Sequence, residues 1–301
     1  IEGVLLEKIN LTSYMNKGNY SLEPLHNFFF TRDSSFIINN QLFIAKMAKK
    51  VRIREALIME AIFNYHPQFQ LKGYSHDFTD ISNKDVAIEG GDIIVVNKNT
   101  LLIGIGPRTT SQGVDYLINQ LLDKEEIKHI IVQELPYSPE SFIHLDMVLT
   151  FVDKNTCIIY EPVIYNRLNF QTVHIALDNG RIKNIETIDD VIRGLKKLGL
   201  EVKPVSCGGS KEILIQEREQ WHSGANFFAL APGKIIGYER NVHTNEELNK
   251  YGYEIIKATE VLNGIKDLND YKKYVVTIEG GELARGGGGP RCMTLPLKRK
   301  N

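Results

Sequence analysis

The sequence predicts an α/β fold made by repeating one unit, two hairpin strands followed by a helix and a third strand, with the units closed around an axis. Three observations carry this. Four stretches share that order of elements with a period of roughly 45 to 65 residues. Their strands are short, apolar and bounded by tight polar turns, and their helices show one apolar face. Asp33, Glu89, His144 and Asp146 all fall at the start of a first strand, so rotational repetition would bring them to one centre. A solenoid would stack the same units without that convergence, and polar residues capping strand ends at the surface are the other reading of the spacing.

The first unit comprises TRDSSFII, a turn at Asn39-Asn40, QLFIAKM and a helical stretch from Ile53 to Phe63. The second is the clearest. It starts at EGGD (Glu89 to Asp92), runs through IIVV, turns at Asn97-Lys98-Asn99 and continues as LLIGIG. Its helix begins near Ser111, with Val114, Leu117, Ile118, Leu121 and Leu122 on one face, and HIIVQEL (His129 to Leu135) follows as a strand. The third unit starts at HLD (His144 to Asp146), runs LTFV, turns at Asp153-Lys154-Asn155 and continues as CIIYEPV. A helix with Ile188, Val191, Ile192 and Leu195 inward ends at Gly199, a left-handed cap. In the fourth, NFFALA, a Pro232-Gly233 turn and KIIGYER precede Thr244 and Glu247 at capping-box spacing, then a short helix ended by Gly252. The tail adds a strand (Tyr274 to Ile278) and the Cys292 segment but no complete fifth unit, and no intact unit precedes His26.

The 301 residues, 43% of them hydrophobic, suffice for a large core in one large domain or two small ones. Lys plus Arg (36) nearly balance Asp plus Glu (37), which gives no reason to expect a nucleic-acid or membrane partner. The KRK near the C-terminus reads as a solvated end. The apolar runs are strand-sized, short of the roughly 20 residues that span a bilayer. The N-terminus, which opens at Ile1, does not read as a signal peptide. Cys157, Cys207 and Cys292 are an odd number without metal-type spacing, so no disulfide framework is expected and the compartment is the cytoplasm.

Cys292 follows a glycine run in RGGGGPRCMTLPL and precedes an extended apolar segment. Glycines let backbone approach a ligand or swing as a gate, although a single cysteine is also commonly a buried small hydrophobe. Cys157 starts an apolar strand and Cys207 ends one, which fits that second reading. His144 and Asp146, two apart in a strand-like run, project on one face, where they could hold a cation and move a proton; a structural histidine is the alternative. A metal would need further ligands at suggestive spacing, and none stands out. Asp33 beside Arg32 could be an exposed ion pair, and Glu89 before two glycines could mark a bulge.

Together FTRD, EGGD, GPRTT, HLDMVLT, REQW, PGKIIGYERN and GGGGPRCMTLPL, in this order from Asn27 to Pro296, resemble the arginine deiminase family of guanidino-group modifying enzymes. The resemblance implies a five-bladed α/β propeller forming a single catalytic domain over residues 1–301, with part of the N-terminal unit missing. Family members carry a longer segment before FTRD, and residues 1–25 stand as its remnant. It implies the nucleophile at Cys292, the general acid and base at His144, Glu89 hydrogen-bonded to that histidine, and guanidinium-binding carboxylates at Asp33 and Asp146. The substrate carboxylate would meet Arg108 and Arg52, with Arg54 as the rival of Arg52, and Asn27 as a further contact. Arg285 stands for a gating arginine, farther from the cysteine than the family pattern places it.

The implied reaction takes free L-arginine to L-citrulline and ammonia through a covalent thiouronium on Cys292. Carboxylates pair with the N–H edges of a planar guanidinium and aim its carbon at the thiolate, whose pKa the bound cation lowers. His144 protonates the departing ammonia and then activates water. No metal or organic cofactor is required, and a homo-oligomer stays open. The alternatives are a dihydrolase or amidinotransferase on the same scaffold, or a non-catalytic arginine-binding protein.

Overall fold

The computed structural model describes residues 2–69, 75–79, 81–122, 126–165 and 169–299. Strands β1 (Val4–Leu5) and β2 (Tyr20–Leu22) pair antiparallel around a short helix α1 (Leu11–Met15), which Asn10 caps through its side chain.

The first unit follows as β3 (Ser35–Ile38) and β4 (Gln41–Ile44), helix α2 (Ile53–Tyr65) and β5 (Ser75–Asp77), which returns parallel to β4. The second repeats the pattern with β6 (Ile93–Asn97), β7 (Thr100–Ile105), α3 (Ser111–Leu122) and β8 (His129–Glu134). In the third, β9 (Leu149–Asp153) and β10 (Thr156–Ile159) lead into a single turn α4 (Glu161–Ile164). The chain then makes a hairpin, β11 (Thr172–Asp178) and β12 (Arg181–Ile188), before α5 (Val191–Lys197) and β13 (Lys203–Ser206) complete the sheet.

That hairpin corrects the sequence reading. Ile188, assigned to the helix, is the last residue of β12, and the hairpin joins the second sheet by pairing β11 with β8. The missed signal is Asn179-Gly180, whose φ values of 49° and 67° are the two left-handed positions of a two-residue hairpin turn.

The fourth unit has α6 (Ile213–Trp221), β14 (Phe228–Ala231), β15 (Lys234–Tyr238), α7 (Val242–Lys250), β16 (Glu254–Lys257), α8 (Ala258–Leu262) and β17 (Tyr274–Ile278). Its order, β14-β15-β17-β16, places the C-terminal strand inside the fourth sheet. The expected capping box is absent. Thr244 lies inside α7, and the buried Glu219 carboxylate of α6 accepts the N–H groups of His243 and Thr244 at 2.9 and 2.8 Å. A carboxylate at a helix N-terminus satisfies otherwise unpaired donors and favours the helix dipole. Gly199 has the expected left-handed conformation after α5.

Alternation along the strands builds the core between successive sheets. Ile93, Ile103, Ile130 and Val132 face α3 and the first sheet, whereas Ile94, Leu102 and Ile131 face the third sheet and α5. Val152, Ile158 and Val205 meet Phe227, Ile235, Leu248 and Val275 of the fourth unit. Each fully buried side chain of this kind contributes about 1.5–3 kcal/mol. The C-terminus is not simply solvated: Arg299 donates to Ile37 O at 2.7 Å, and burial lowers its pKa to about 10; Lys300 lies outside the described residues. Among the described residues no helix is long and apolar enough to cross a membrane.

Candidate active site

The polar starts of the first strands do converge. Asp33 precedes β3, Glu89 heads a 3-10 turn (Gly90–Asp92) into β6, and His144 heads a second such turn (Leu145–Met147) into β9. His144 therefore caps a turn and Asp146 lies within it rather than the two sharing a strand, yet both are fully buried. Two glycines permit the close approach of these turns. A Cβ on Gly90 would lie 2.2 Å from Arg32 O, and one on Gly91 would lie 2.5 Å from His144 Cγ.

His144 Nε2 lies 2.8 Å from Glu89 Oε2, and its Nδ1 faces Asp33 Oδ1 at 3.6 Å. Burial opposes a charged imidazole, but Asp33 and the Glu89 hydrogen bond outweigh it and raise the His144 pKa to about 9. Asp33 is also fully buried, and His144 and Arg52 overcome that burial to hold its carboxyl below the usual carboxylate range. Behind the histidine lies Asp92. Its Oδ1 accepts Leu145 N at 2.8 Å, and burial pushes its carboxyl up to about 7.

Cys292 enters from the C-terminal segment, packed against Phe30 and Met147. Its Sγ is 3.9 Å from both Asp146 carboxylate oxygens. Burial, then Asp146 and Asp33, raise the thiol pKa well above the ordinary value. Arg291, the residue before it, pairs through its guanidinium with Asp146 Oδ2. Arg52 donates to Asp33 Oδ2 at 2.7 Å and to Glu55 Oε2 at 2.7 Å. Each of the two carboxylates assigned to a guanidinium thus already holds one.

The structure brings Cys292, His144, Glu89, Asp33 and Asp146 into one buried cluster, with Arg52 at its edge and Arg108 Nη1 at 3.7 Å from Glu89 Oε2. Arg54, the rival of Arg52, points away and donates to Glu23 O. Asn27 lies in the turn before Phe30, and its carbonyl accepts Phe30 N at 2.9 Å. Arg285 is not brought in: it is exposed and pairs with Glu282 at 3.2 Å. Cys157 and Cys207 are free and buried, and burial raises both thiols, Cys157 to about 12.

Three participants were not singled out from the sequence. Arg291 is the nearest to the chemistry, and it stood in the quoted GPRC block. Asp92 was read only as the end of EGGD. Asn226 heads β14 as Asp33, Glu89 and His144 head the other first strands, so position in the repeat was a signal for it.

The site also answers the metal question left by spacing. Asp33, Glu89 and His144 offer one ligand atom each, all within 4.8 Å of one another. Their charge is already committed: Arg52 Nη1 sits 2.7 Å from Asp33 and 3.9 Å from Glu89, and Arg108 is beside Glu89. A divalent ion would be pressed against two guanidiniums, so the donor set suits organic cations better.

The family model for arginine deiminase matches residues 7–299. An arginine deiminase from Listeria innocua is 35% identical over 287 residues; the alignment covers 94% of this chain but only 64% of that relative, less than two thirds of its length. Among solved structures, the substrate-bound N-terminal domain of ArgZ, an arginine dihydrolase of the cyanobacterial ornithine-ammonia cycle, has a TM-score of 0.60 at 15% identity, covering 92% of this chain and 78% of that one. AgrE in binary complex with L-arginine has a TM-score of 0.60 at 14% identity, over 92% and 32% of the two chains. A dimethylarginine dimethylaminohydrolase adduct has 0.54 at 16%, over 89% and 76%. At these identities the solved structures establish a shared α/β fold with mixed sheets.

Proposed function

The chain belongs to the arginine deiminase family, and on that premise we propose that it hydrolyses free L-arginine to L-citrulline and ammonia, with Cys292 as nucleophile. One observation carries the reading. Asp33 and Asp146, within the same buried cluster as Cys292 and His144, each hold a guanidinium of this chain, that of Arg52 and that of Arg291. The site is built to bind the group the reaction transforms.

In this scheme the substrate guanidinium displaces Arg291 from Asp146 and takes the remaining face of Asp33. Its positive charge offsets the two carboxylates that raise the Cys292 thiol, so substrate binding itself favours loss of the thiol proton to solvent, His144 being already charged below about pH 9. The sulfur adds to the guanidinium carbon. The C–N bond breaks as His144, charged below about pH 9, gives its proton to the departing ammonia. Neutral His144 then takes a proton from the water that adds to the thiouronium carbon, the C–S bond breaks, and citrulline leaves with the thiolate restored. Arg108 and Arg52 are the guanidiniums that meet the α-carboxylate, with Asn27 as a further contact; agmatine lacks the carboxylate that either would draw.

We read the four sheets as blades of a five-bladed α/β propeller that forms a single catalytic domain. Three buried free thiols fit a reducing compartment such as the cytoplasm. The test is product analysis with arginine as the sole substrate. Citrulline with one equivalent of ammonia supports the reading, whereas ornithine, or turnover only after an amine is added, identifies the dihydrolase or amidinotransferase. Cys292→Ala is expected to be inactive, and equal activity in that variant removes Cys292 from the chemistry.

A further inference from the structure

We propose that Asn226 is the positioning residue of the nucleophile, a single buried carboxamide that locks the Cys292 segment to the turn bearing Asp146. The inference rests on the reading of Cys292 as nucleophile. Asn226 is fully buried and heads the first strand of the fourth unit, the place taken by Asp33, Glu89 and His144 in the other three. Its Nδ2 donates to Asp146 O at 3.0 Å. Its Oδ1 accepts two successive backbone groups, Arg291 N at 3.1 Å and Cys292 N at 3.2 Å. One side chain therefore fixes the carboxylate's residue and the nucleophile's residue relative to each other.

The surroundings make this a rigid clamp. Gly289 lies flush against it, since a Cβ there would meet Asn226 Oδ1 at 2.6 Å and Asn226 Cβ at 2.8 Å. Arg32 N donates to Cys292 O at 3.1 Å, so the nucleophile's backbone is held from both sides. Asn226 N donates to Ser223 O at 3.0 Å, which fixes the clamp to the end of α6. The Gly289 N–H, on the same turn, is a backbone group that favours the Cys292 thiolate, against the burial and carboxylates that oppose it. Letting the turn shift would lose that donor as well as the alignment of sulfur and carboxylate.

The chemistry selects a carboxamide. It offers, without charge at any pH and from two separate atoms, an acceptor for two amides and a donor for a carbonyl. An ionised carboxylate keeps the acceptor but sets an anionic oxygen against Asp146 O; a protonated one restores the donor. Asn226→Asp should consequently trade a constant clamp for one that works only in acid.

The experiment compares Asn226→Asp, Asn226→Ala and the parent protein for thermal stability and for kcat and KM with arginine from pH 5 to 8. The expected result for Asn226→Asp is a folded protein with KM within about threefold and kcat down about a hundredfold at pH 8, the scale of a misplacement of about 1 Å. The ratio to the parent should recover as pH falls, whereas Asn226→Ala should show a kcat loss without recovery. A parent-like kcat ratio for Asn226→Asp at every pH overturns the proposal, and so does a loss confined to stability and KM. If Asn226→Asp does not fold, Asn226→Ser decides: lower kcat at unchanged KM supports the clamp and unchanged kcat overturns it. Cys292→Ala separates the two readings, because an active Cys292→Ala defeats the nucleophile itself, while an inactive one beside a parent-like Asn226→Asp defeats only the clamp.

Discussion

Glu89 Oε2 lies 2.8 Å from His144 Nε2, with neither side chain exposed to solvent. Together with Asp33 this carboxylate keeps the imidazole charged against the cost of burial, to about pH 9. Glu89→Gln removes the charge but keeps a hydrogen-bond acceptor. It should move the alkaline limb of the kcat profile towards acid by about one to two units, and so cut kcat at pH 8 by about twofold to tenfold. A pH–rate profile with an unmoved limb would show that Glu89 does not set the proton affinity of His144.

The same cluster predicts how stability depends on pH. The folded His144 value lies above the unfolded value of about 6.5, so its contribution is complete below about pH 6.5 and is lost as pH rises through about 9. The melting temperature of the parent should therefore fall across that window, and His144→Gln should flatten the fall. Equal slopes in the two proteins would refute the assignment.

Arg291 pairs with Asp146, and in the proposed reaction it yields that carboxylate to the substrate. Removing it leaves a buried carboxylate without its cation, a change that costs about 3–5 kcal/mol in comparable pairs. Arg291→Ala should melt earlier, and arginine should restore it because the substrate guanidinium supplies the missing charge. Measured by thermal shift, preferably in a Cys292→Ala background that cannot turn over, the arginine-induced rise should be larger in Arg291→Ala than without it. A smaller rise would mean that Arg291 helps to hold the substrate.

Much of this site was legible because it is written in the repeat. Asp33, Glu89 and His144 stand at equivalent points before β3, β6 and β9, and a unit-by-unit reading finds them without long-range information. Asn226 satisfies the same rule but was passed over, since an asparagine has no titratable group to attract notice. Arg291 was illegible for another reason. Nothing local distinguishes it from Arg285; only the path of the glycine run, which leaves Arg285 exposed and carries Arg291 inward, decides which one meets Asp146. The β11–β12 hairpin was not read at all apart from Ile188, which was given to the following helix, and its membership of the second sheet depends on pairing with β8, a contact between units that periodicity within one unit does not contain. Glu219 capping α7 is likewise tertiary, a side chain from α6 doing what a capping residue of the helix itself was expected to do.

Asp92 is a buried carboxylate with its pKa pushed up to about 7 by burial, so in the folded state it resists ionisation. Its folded value is raised above the unfolded value of about 3.9; stability is therefore highest below about pH 4 on this account and declines as pH rises through about 7. Asp92→Asn keeps an acceptor for Leu145 N and abolishes that decline. Chemical denaturation at pH 8 should find it more stable than the parent by about 4 kcal/mol, with the difference vanishing near pH 4. A destabilised variant at pH 8 would show instead that the ionised carboxylate is needed where it lies.

The final expectation concerns Gly91, where the requirement is space. A Cβ built there would stand 2.5 Å from His144 Cγ, 2.6 Å from His144 Nδ1 and 2.9 Å from Asp33 Oδ1, below any tolerable contact. The imidazole is held by Glu89 at Nε2, and the backbone behind it is anchored by the Leu145 N–H donating to Asp92, so the ring cannot retreat without breaking one of those bonds. Gly91→Ala should lose about 1–3 kcal/mol of stability, the usual scale of overpacking, but at least about a hundredfold in kcat if the displaced imidazole moves protons as proposed. Gly281→Ala, where a Cβ meets nothing within 4 Å, is the control and should match the parent in both measurements. If Gly91→Ala remained as active as Gly281→Ala, the close packing of the two turns would not be what holds His144 in register.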